Sequence, residues 1–137
     1  MKKEQSKLFL FKKEVDGFIN SPEFLSIVSS PTYSMIIPQY LKAFQTFTSS
    51  GKRIRPYFVK LGYEMCSGVY DHKILLPAVS YEIFQSGILI HDDIIDNSDL
   101  RRGMPTMHKI LGESKAICMG DFGLLSSIAL CAHSEFS

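Results

Sequence analysis

Leu76-Pro77-Ala78-Val79-Ser80-Tyr81-Glu82-Ile83-Phe84-Gln85-Ser86-Gly87-Ile88-Leu89-Ile90-His91-Asp92-Asp93-Ile94-Ile95-Asp96 is the stretch that decides the fold. Leu76, Val79, Ile83, Ser86, Ile90 and Ile94 recur at steps of three and four, the spacing of one helical face. The run is too long for a strand and ends in three acids. Asp92 and Asp96, four apart, share a face, and Asp93 sits about 100° further round. Gly87 weakens a helix by ~1 kcal/mol relative to alanine, so its presence signals a need for space.

The same periodicity extends outward. Leu8, Phe11, Val15, Phe18 and Ile19 predict a first helix, and Ser21-Pro22 ends it or opens a short second one. Ile37, Leu41, Phe44 and Phe47 predict another, with Pro38 tolerated in its first turn. Thr48-Ser49-Ser50-Gly51 reads as a loop. Pro56 can start the next helix, which Ser67-Gly68 closes. After the acids, Gly103-Met104-Pro105-Thr106 reads as a loop, with a short helix from Pro105 to about Leu111. A last helix runs from about Lys115 to Ala132. Alternating β-type patterns are absent, so the expected class is all-α: antiparallel helices joined by short connections, in one domain over residues 1–137.

Composition bounds the function. The chain has 137 residues, 45% hydrophobic, enough for one core, and a net charge of +1 that offers no broad field to nucleic acid or an anionic membrane. Cys66, Cys118 and Cys131 lack metal-ligand spacing, and an odd count without a signal peptide suggests reduced thiols in a cytosolic protein. The apolar run from Phe122 to Ala132 is short for a bilayer span. The expectation is a soluble, cytoplasmic protein without a membrane span. Met35, Met65, Met107 and Met119 are expected in the core with the phenylalanines.

Carboxylates as dense as Asp92, Asp93 and Asp96 repel one another, and a divalent cation relieves that repulsion. Mg²⁺ prefers oxygen ligands and is commonly held by one or two carboxylates together with substrate phosphates and water. Arg101 and Arg102 follow closely, and their planar forks suit phosphate oxygens. The plain alternative is a solvated acidic helix face, although the surrounding isoleucines and leucines argue for a helix that is partly buried. Gly51-Lys52-Arg53-Ile54-Arg55-Pro56 places three cations at the mouth of a helix, where backbone N–H groups add to an anion site. It lacks the spacing of a P-loop, and an ordinary basic loop is its plain alternative.

Gly-Lys-Arg-Ile-Arg-Pro at 51–56, His-Asp-Asp-Ile-Ile-Asp at 91–96 and Leu-Arg-Arg-Gly-Met-Pro-Thr-Met-His at 100–108 together resemble the trans-isoprenyl diphosphate synthases, the polyprenyl synthetase family. The motifs stand in that family's order and approximate spacing, and the resemblance covers the N-terminal half of a typical member. It implies the N-terminal half of the all-α isoprenoid synthase fold. The implied reaction condenses an allylic diphosphate with isopentenyl diphosphate and requires Mg²⁺.

By that resemblance Asp92 and Asp96 would ligate the metal, with Asp93 supporting them. Arg101 would grip the allylic diphosphate. Lys52, Arg55, Arg102 and Gln85 would bind isopentenyl diphosphate, and Arg53 belongs to the same motif. Gly87 and Ile88 occupy positions that help form the floor of the prenyl pocket. Gly87 offers no bulky block there, which implies a product of at least geranylgeranyl size, and Gly87→Tyr is expected to shorten it. His91 is expected to pack or hydrogen-bond rather than ligate metal, His108 to make a structural hydrogen bond, and Asp121 to pair with a nearby cation.

Family members are roughly twice as long and carry a second aspartate-rich motif, which does not follow Asp96 here. The expectation is therefore a fragment or truncated synthase. The alternatives are the small subunit of a heteromeric synthase and a non-catalytic diphosphate-binding helical module. The resemblance also implies a homodimer or heterodimer.

Overall fold

A computed structural model describes residues 2–28, 38–49 and 51–136. Seven helices are present among them: α1 (Lys2–Ile19), α2 (Pro22–Val28), α3 (Pro38–Ser49), α4 (Ile54–Ser67), α5 (Leu75–Ile95), α6 (Met107–Leu111) and α7 (Glu113–Ala132). A 3-10 turn over His72–Ile74 leads into α5. The all-α expectation holds, with one addition. Strands β1 (Leu100–Arg101) and β2 (Met104–Pro105) pair antiparallel, Leu100 opposite Pro105 and Arg101 opposite Met104. Arg102 and Gly103 form the turn between them, both at positive φ (54° and 79°), the two-residue geometry that matches the twist of paired strands. Pro105 thus ends a strand, and α6 starts two residues later. Ile37 and Met35 lie outside the described residues.

Helix α5 is the axis of the molecule. Leu75, Ala78, Val79, Ile83 and Ile90 are buried along it, against Phe11, Val15 and Ile19 of α1, Tyr57 of α4 and Met119 and Leu130 of α7 within one core. Its most extensive partner is α7, which runs antiparallel: Ser80 Oγ donates to the Ser127 carbonyl (2.7 Å) at one end, and His91 Nε2 lies 3.2 Å from Asp121 Oδ1 at the other.

Between these ends the two backbones nearly touch. A Cβ on Gly87 would stand 2.7 Å from the Gly120 carbonyl oxygen and 3.1 Å from the Leu124 nitrogen, so only glycine fits. The space that Gly87 signalled in the sequence is taken by a neighbouring helix. Gly123 plays the reciprocal part, leaving room for the Phe44 ring, which packs edge-on against Phe122 at 5.4 Å.

Behind α5, Lys60 of α4 is buried with its ammonium 2.6 Å from Glu64 and 4.8 Å from the centre of the Tyr70 ring. The Tyr70 hydroxyl in turn donates to Glu14 of α1 at 2.6 Å. Met107 and Met119 are buried as expected, whereas Met65 is 86% exposed on the outer face of α4. All three cysteines are free and exposed.

The span from His72 to Ile95 and helix α7 are each long and apolar enough to cross a membrane by length and composition alone. The helix containing Phe122–Ala132 is thus longer than its apolar run suggested. Half of the His72–Ile95 window is buried within the protein, as in the central helix of a globular core. One face remains uncovered: Tyr81 and Phe84 on α5 and Ile117, Leu125 and Ile128 on α7 are all exposed by 40% or more.

Candidate functional site

Two charged clusters flank α5. The first is built on the turn from α3 into α4. Arg53 caps α4 in the left-handed conformation (φ 57°, ψ 29°), which turns its side chain inward while Lys52 and Arg55 on either side stay exposed. Inside, the guanidinium is fully buried. Its Nε donates to Asp16 Oδ1 (2.8 Å), and its Nη1 donates to the Thr48 carbonyl (2.7 Å) and to Glu82 Oε1 (2.7 Å). Two carboxylates neutralise one guanidinium, so the buried charge is paired and hydrogen-bonded. Gly51 fits only because it lacks a side chain: a Cβ would come within 2.7 Å of Arg53 Nη1 and 2.9 Å of Glu82 Oε1. Its carbonyl accepts a hydrogen bond from Lys12 Nζ at 2.8 Å.

A cleft of about 400 Å³ opens above this knot, lined by Lys52, Arg53, Ile54, Arg55, Glu82 and Arg102. Lys52, Arg55 and Arg102, singled out from two separate motifs, therefore meet in one place. Arg102 reaches it from the apex of the hairpin. Arg53 lines the cleft as well and also anchors the loop: Asp16, Glu82 and Thr48 take its Nε and Nη1 donors, and its Nη2 lies 2.7 Å from Asp16 Oδ1. Gln85 lies half-buried on α5, one turn beyond Glu82, and is not among the residues that line the cleft.

The second cluster is the end of α5. Asp92 and Asp96 are exposed, and the Asp96 N–H closes the helix on the Asp92 carbonyl at 2.8 Å. Asp93 differs: it is 1% exposed, and Arg101 grips both of its carboxylate oxygens from Nε at 2.9 and 2.8 Å, with Nη2 2.8 Å from Oδ1. The neighbouring Asp93 carboxylate, aided by Asp92 and Asp96, pushes the Arg101 pKa upward against partial burial. Asp93 is thus turned away from its two neighbours. Among the described residues no three His, Cys, Asp or Glu side chains converge as a metal-binding group. Asp92 and Asp96 remain as two open carboxylates one turn apart. That donor set fits a hard divalent cation whose other ligands are phosphate oxygens and water.

Around this centre other expectations change. His91 does pack: its imidazole lies over Gly120, where a Cβ would stand within 3 Å of three ring atoms, and it faces Asp121. Both ring nitrogens of His108 are buried without a hydrogen-bond partner among the described residues, so the expected structural hydrogen bond is not made. Thr106 ties the hairpin instead, donating to the Ser98 carbonyl at 2.7 Å. Gly87 faces the α7 backbone rather than a cavity, so a tyrosine there would break the helix pair instead of shortening a product. Sequence reasoning missed Glu82, Asp16 and Lys12. Glu82 had a visible signal, being the only acid in α5 before the Asp92 cluster.

The family model for polyprenyl synthetase matches residues 37–136, a span containing all three motifs. The chain belongs to the polyprenyl synthetase family. The geranylgeranyl diphosphate synthase of Saccharolobus solfataricus is 40% identical over 80 residues, covering 58% of this chain and 24% of that protein. The large subunit 1 of the heterodimeric geranylgeranyl pyrophosphate synthase of Arabidopsis thaliana is 34% identical over 119 residues, covering 85% of this chain and 28% of that protein. Among solved structures, the geranyltranstransferase of Thermotoga maritima superposes with a TM-score of 0.73 at 32% identity, over 92% of this chain and 45% of the other. The geranylgeranyl pyrophosphate synthetase of Pyrococcus horikoshii gives 0.72 at 29%, over 96% and 39%. The polyprenyl synthetase chain described here therefore spans about a quarter of those curated relatives and less than half of those solved chains.

Proposed function

We propose that this chain is the diphosphate-handling part of a prenyltransferase that condenses an allylic diphosphate with isopentenyl diphosphate, and that it forms a single partial domain over residues 1–137. One observation carries the reading: Lys52, Arg55 and Arg102 line a single cleft against α5, and the same helix ends in the open carboxylates Asp92 and Asp96.

An allylic diphosphate ionises only if the departing negative charge is stabilised as it forms. Asp92 and Asp96 would hold Mg²⁺, which supplies that neutralisation when bound. Arg101, oriented by Asp93, directs its remaining N–H donors toward the leaving group. Lys52, Arg55 and Arg102 hold the second diphosphate, and Gln85, one turn beyond Glu82 on α5, would reach it from outside the lining of the cleft. The apolar face of α5 below Asp92, carrying Ile88, Phe84 and Tyr81, keeps water from the allylic cation. It also supplies the wall along which product length is read. Attack by the double bond of isopentenyl diphosphate then joins the two chains, and loss of a proton completes the product.

The matched relatives include catalytic synthases and a large subunit, which supports a portion of a catalytic synthase over a small subunit or a non-catalytic module. Assembly as a homodimer or heterodimer is part of the proposal, supported by the heterodimeric Arabidopsis relative. So is a cytoplasmic location, supported by the exposed free thiols.

Calorimetry of the chain with an allylic diphosphate tests the reading. Uptake is expected with Mg²⁺ and not with chelator, and is expected to vanish in Asp92→Ala/Asp96→Ala. Magnesium-independent uptake that survives the double substitution would refute the metal assignment.

A further inference from the structure

We infer that α1 is a positioning element of the cationic cleft. Asp16, held against Arg53, and Lys12, held against the Gly51 carbonyl, fix the loop that presents Lys52 and Arg55 to a diphosphate. Both residues lie upstream of positions 37–136, which the family model matches, and no motif includes them. The inference rests on the proposed diphosphate reading of the cleft.

The geometry is specific. Three cations within four residues must point two ways: Lys52 outward, Arg53 inward, then Arg55 outward one helical step beyond Ile54. That alternation requires a non-glycine residue at φ 57°, a conformation that L-residues avoid unless their surroundings hold it. The hold comes from elements distant in sequence. Asp16 on α1 contacts both Nε (2.8 Å) and Nη2 (2.7 Å) of Arg53. Glu82 on α5 takes Nη1. Lys12, one turn before Asp16 and 3.0 Å from its Oδ2, bonds the Gly51 carbonyl at 2.8 Å. Lys12 and Asp16 are about one-third exposed, so they sit at the rim of the knot and not in the apolar core. With Asp16 gone, Arg53 keeps only Glu82 and the Thr48 carbonyl, and the turn that presents Lys52 and Arg55 loses its hold from α1.

Charge and position predict opposite signs, which makes the inference testable. Asp16→Asn removes a negative charge near an anion site, so a pure field effect would tighten anion binding. The positioning role predicts loosening. Calorimetry of the full chain with inorganic pyrophosphate in chelator reads the cationic cleft. Magnesium-dependent uptake of an allylic diphosphate reads the Asp92 and Asp96 end as an internal control.

The expected result is pyrophosphate affinity at least fivefold weaker in Asp16→Asn, with the magnesium-dependent uptake unchanged. Lys12→Met should weaken pyrophosphate binding similarly, and Lys12→Arg should restore most of it. Affinity that is unchanged or tighter in Asp16→Asn overturns the inference, as does an equal loss at both sites, which marks general destabilisation. If Asp16→Asn does not fold, Asp16→Glu decides: the charge is kept and only the carboxylate's position changes, so weaker pyrophosphate binding supports the inference and unchanged affinity overturns it. If the parent chain takes up no pyrophosphate, or Lys52→Ala binds it as well as the parent, the reading of the cleft itself falls and takes this inference with it.

Discussion

Arg101 and Asp93 form a two-pronged ion pair across eight residues of sequence, joining the hairpin to the buried side of the last turn of α5. The pair sorts three acids into two kinds. Asp93 is committed within the fold, and Asp92 and Asp96 are left to solvent. Removing Asp93 strands a guanidinium that is about a quarter exposed. Loss of one partner of a fully buried pair costs about 3–5 kcal/mol; discounted for that exposure, Asp93→Ala is expected to cost about 1–3 kcal/mol in urea unfolding. Asp92→Ala should stay within about 0.5 kcal/mol of the parent, because an exposed acid beside other acids contributes little. Equal losses for the two would contradict the division.

Arg53 and Lys52 are adjacent cations with opposite roles. Arg53→Ala leaves Asp16 and Glu82 uncompensated and should cost about 3–5 kcal/mol by chemical denaturation. Lys52→Ala should leave stability nearly unchanged and reduce pyrophosphate affinity. A stable Arg53→Ala would show that the knot is not structural.

The contact of Gly87 with Gly120 predicts that one methyl group is too many. Gly87→Ala forces α5 and α7 apart, and overpacking of this kind costs about 1–3 kcal/mol. Gly62 supplies the control, since it lies on α4 with nothing near its missing Cβ. Gly62→Ala should stabilise the chain by up to about 1 kcal/mol. Thermal melts that moved the same way for both substitutions would overturn the packing account.

Burial and the Glu14 carboxylate raise the Tyr70 pKa above its ordinary value. The folded state therefore keeps this proton longer than the unfolded state does. The stabilisation is fully present below the ordinary tyrosine pKa of ~10 and is lost as pH rises through the range above it. In an ultraviolet absorbance titration of the six tyrosines, one late-ionising step should be missing in Tyr70→Phe, whose thermal midpoint should fall less steeply above pH ~10. A late step that survives in Tyr70→Phe belongs to another tyrosine.

The long helices and their antiparallel order were legible because the apolar residues repeat at helical spacing without interruption. The motif cations were legible as a set, and four of them, Lys52, Arg53, Arg55 and Arg102, do line one cleft. What could not be read was direction. Lys52, Arg53 and Arg55 look alike in sequence, and only the left-handed turn at Arg53 decides which one faces inward. The pairing of Asp93 with Arg101 was equally hidden, because it depends on a two-residue hairpin too short to show an alternating pattern. Gly87 announced a close approach but not the neighbour, since α7 lies more than twenty residues away.

The hairpin apex carries a consequence for mutational tolerance. Arg102 adopts a backbone geometry natural to glycine and asparagine and hostile to β-branched side chains. A saturation library at this codon, sorted for folded protein, should therefore enrich glycine and asparagine and deplete valine, isoleucine and threonine. Sorted instead for anion capture, the same library should favour arginine, setting the two selections against each other at a single position.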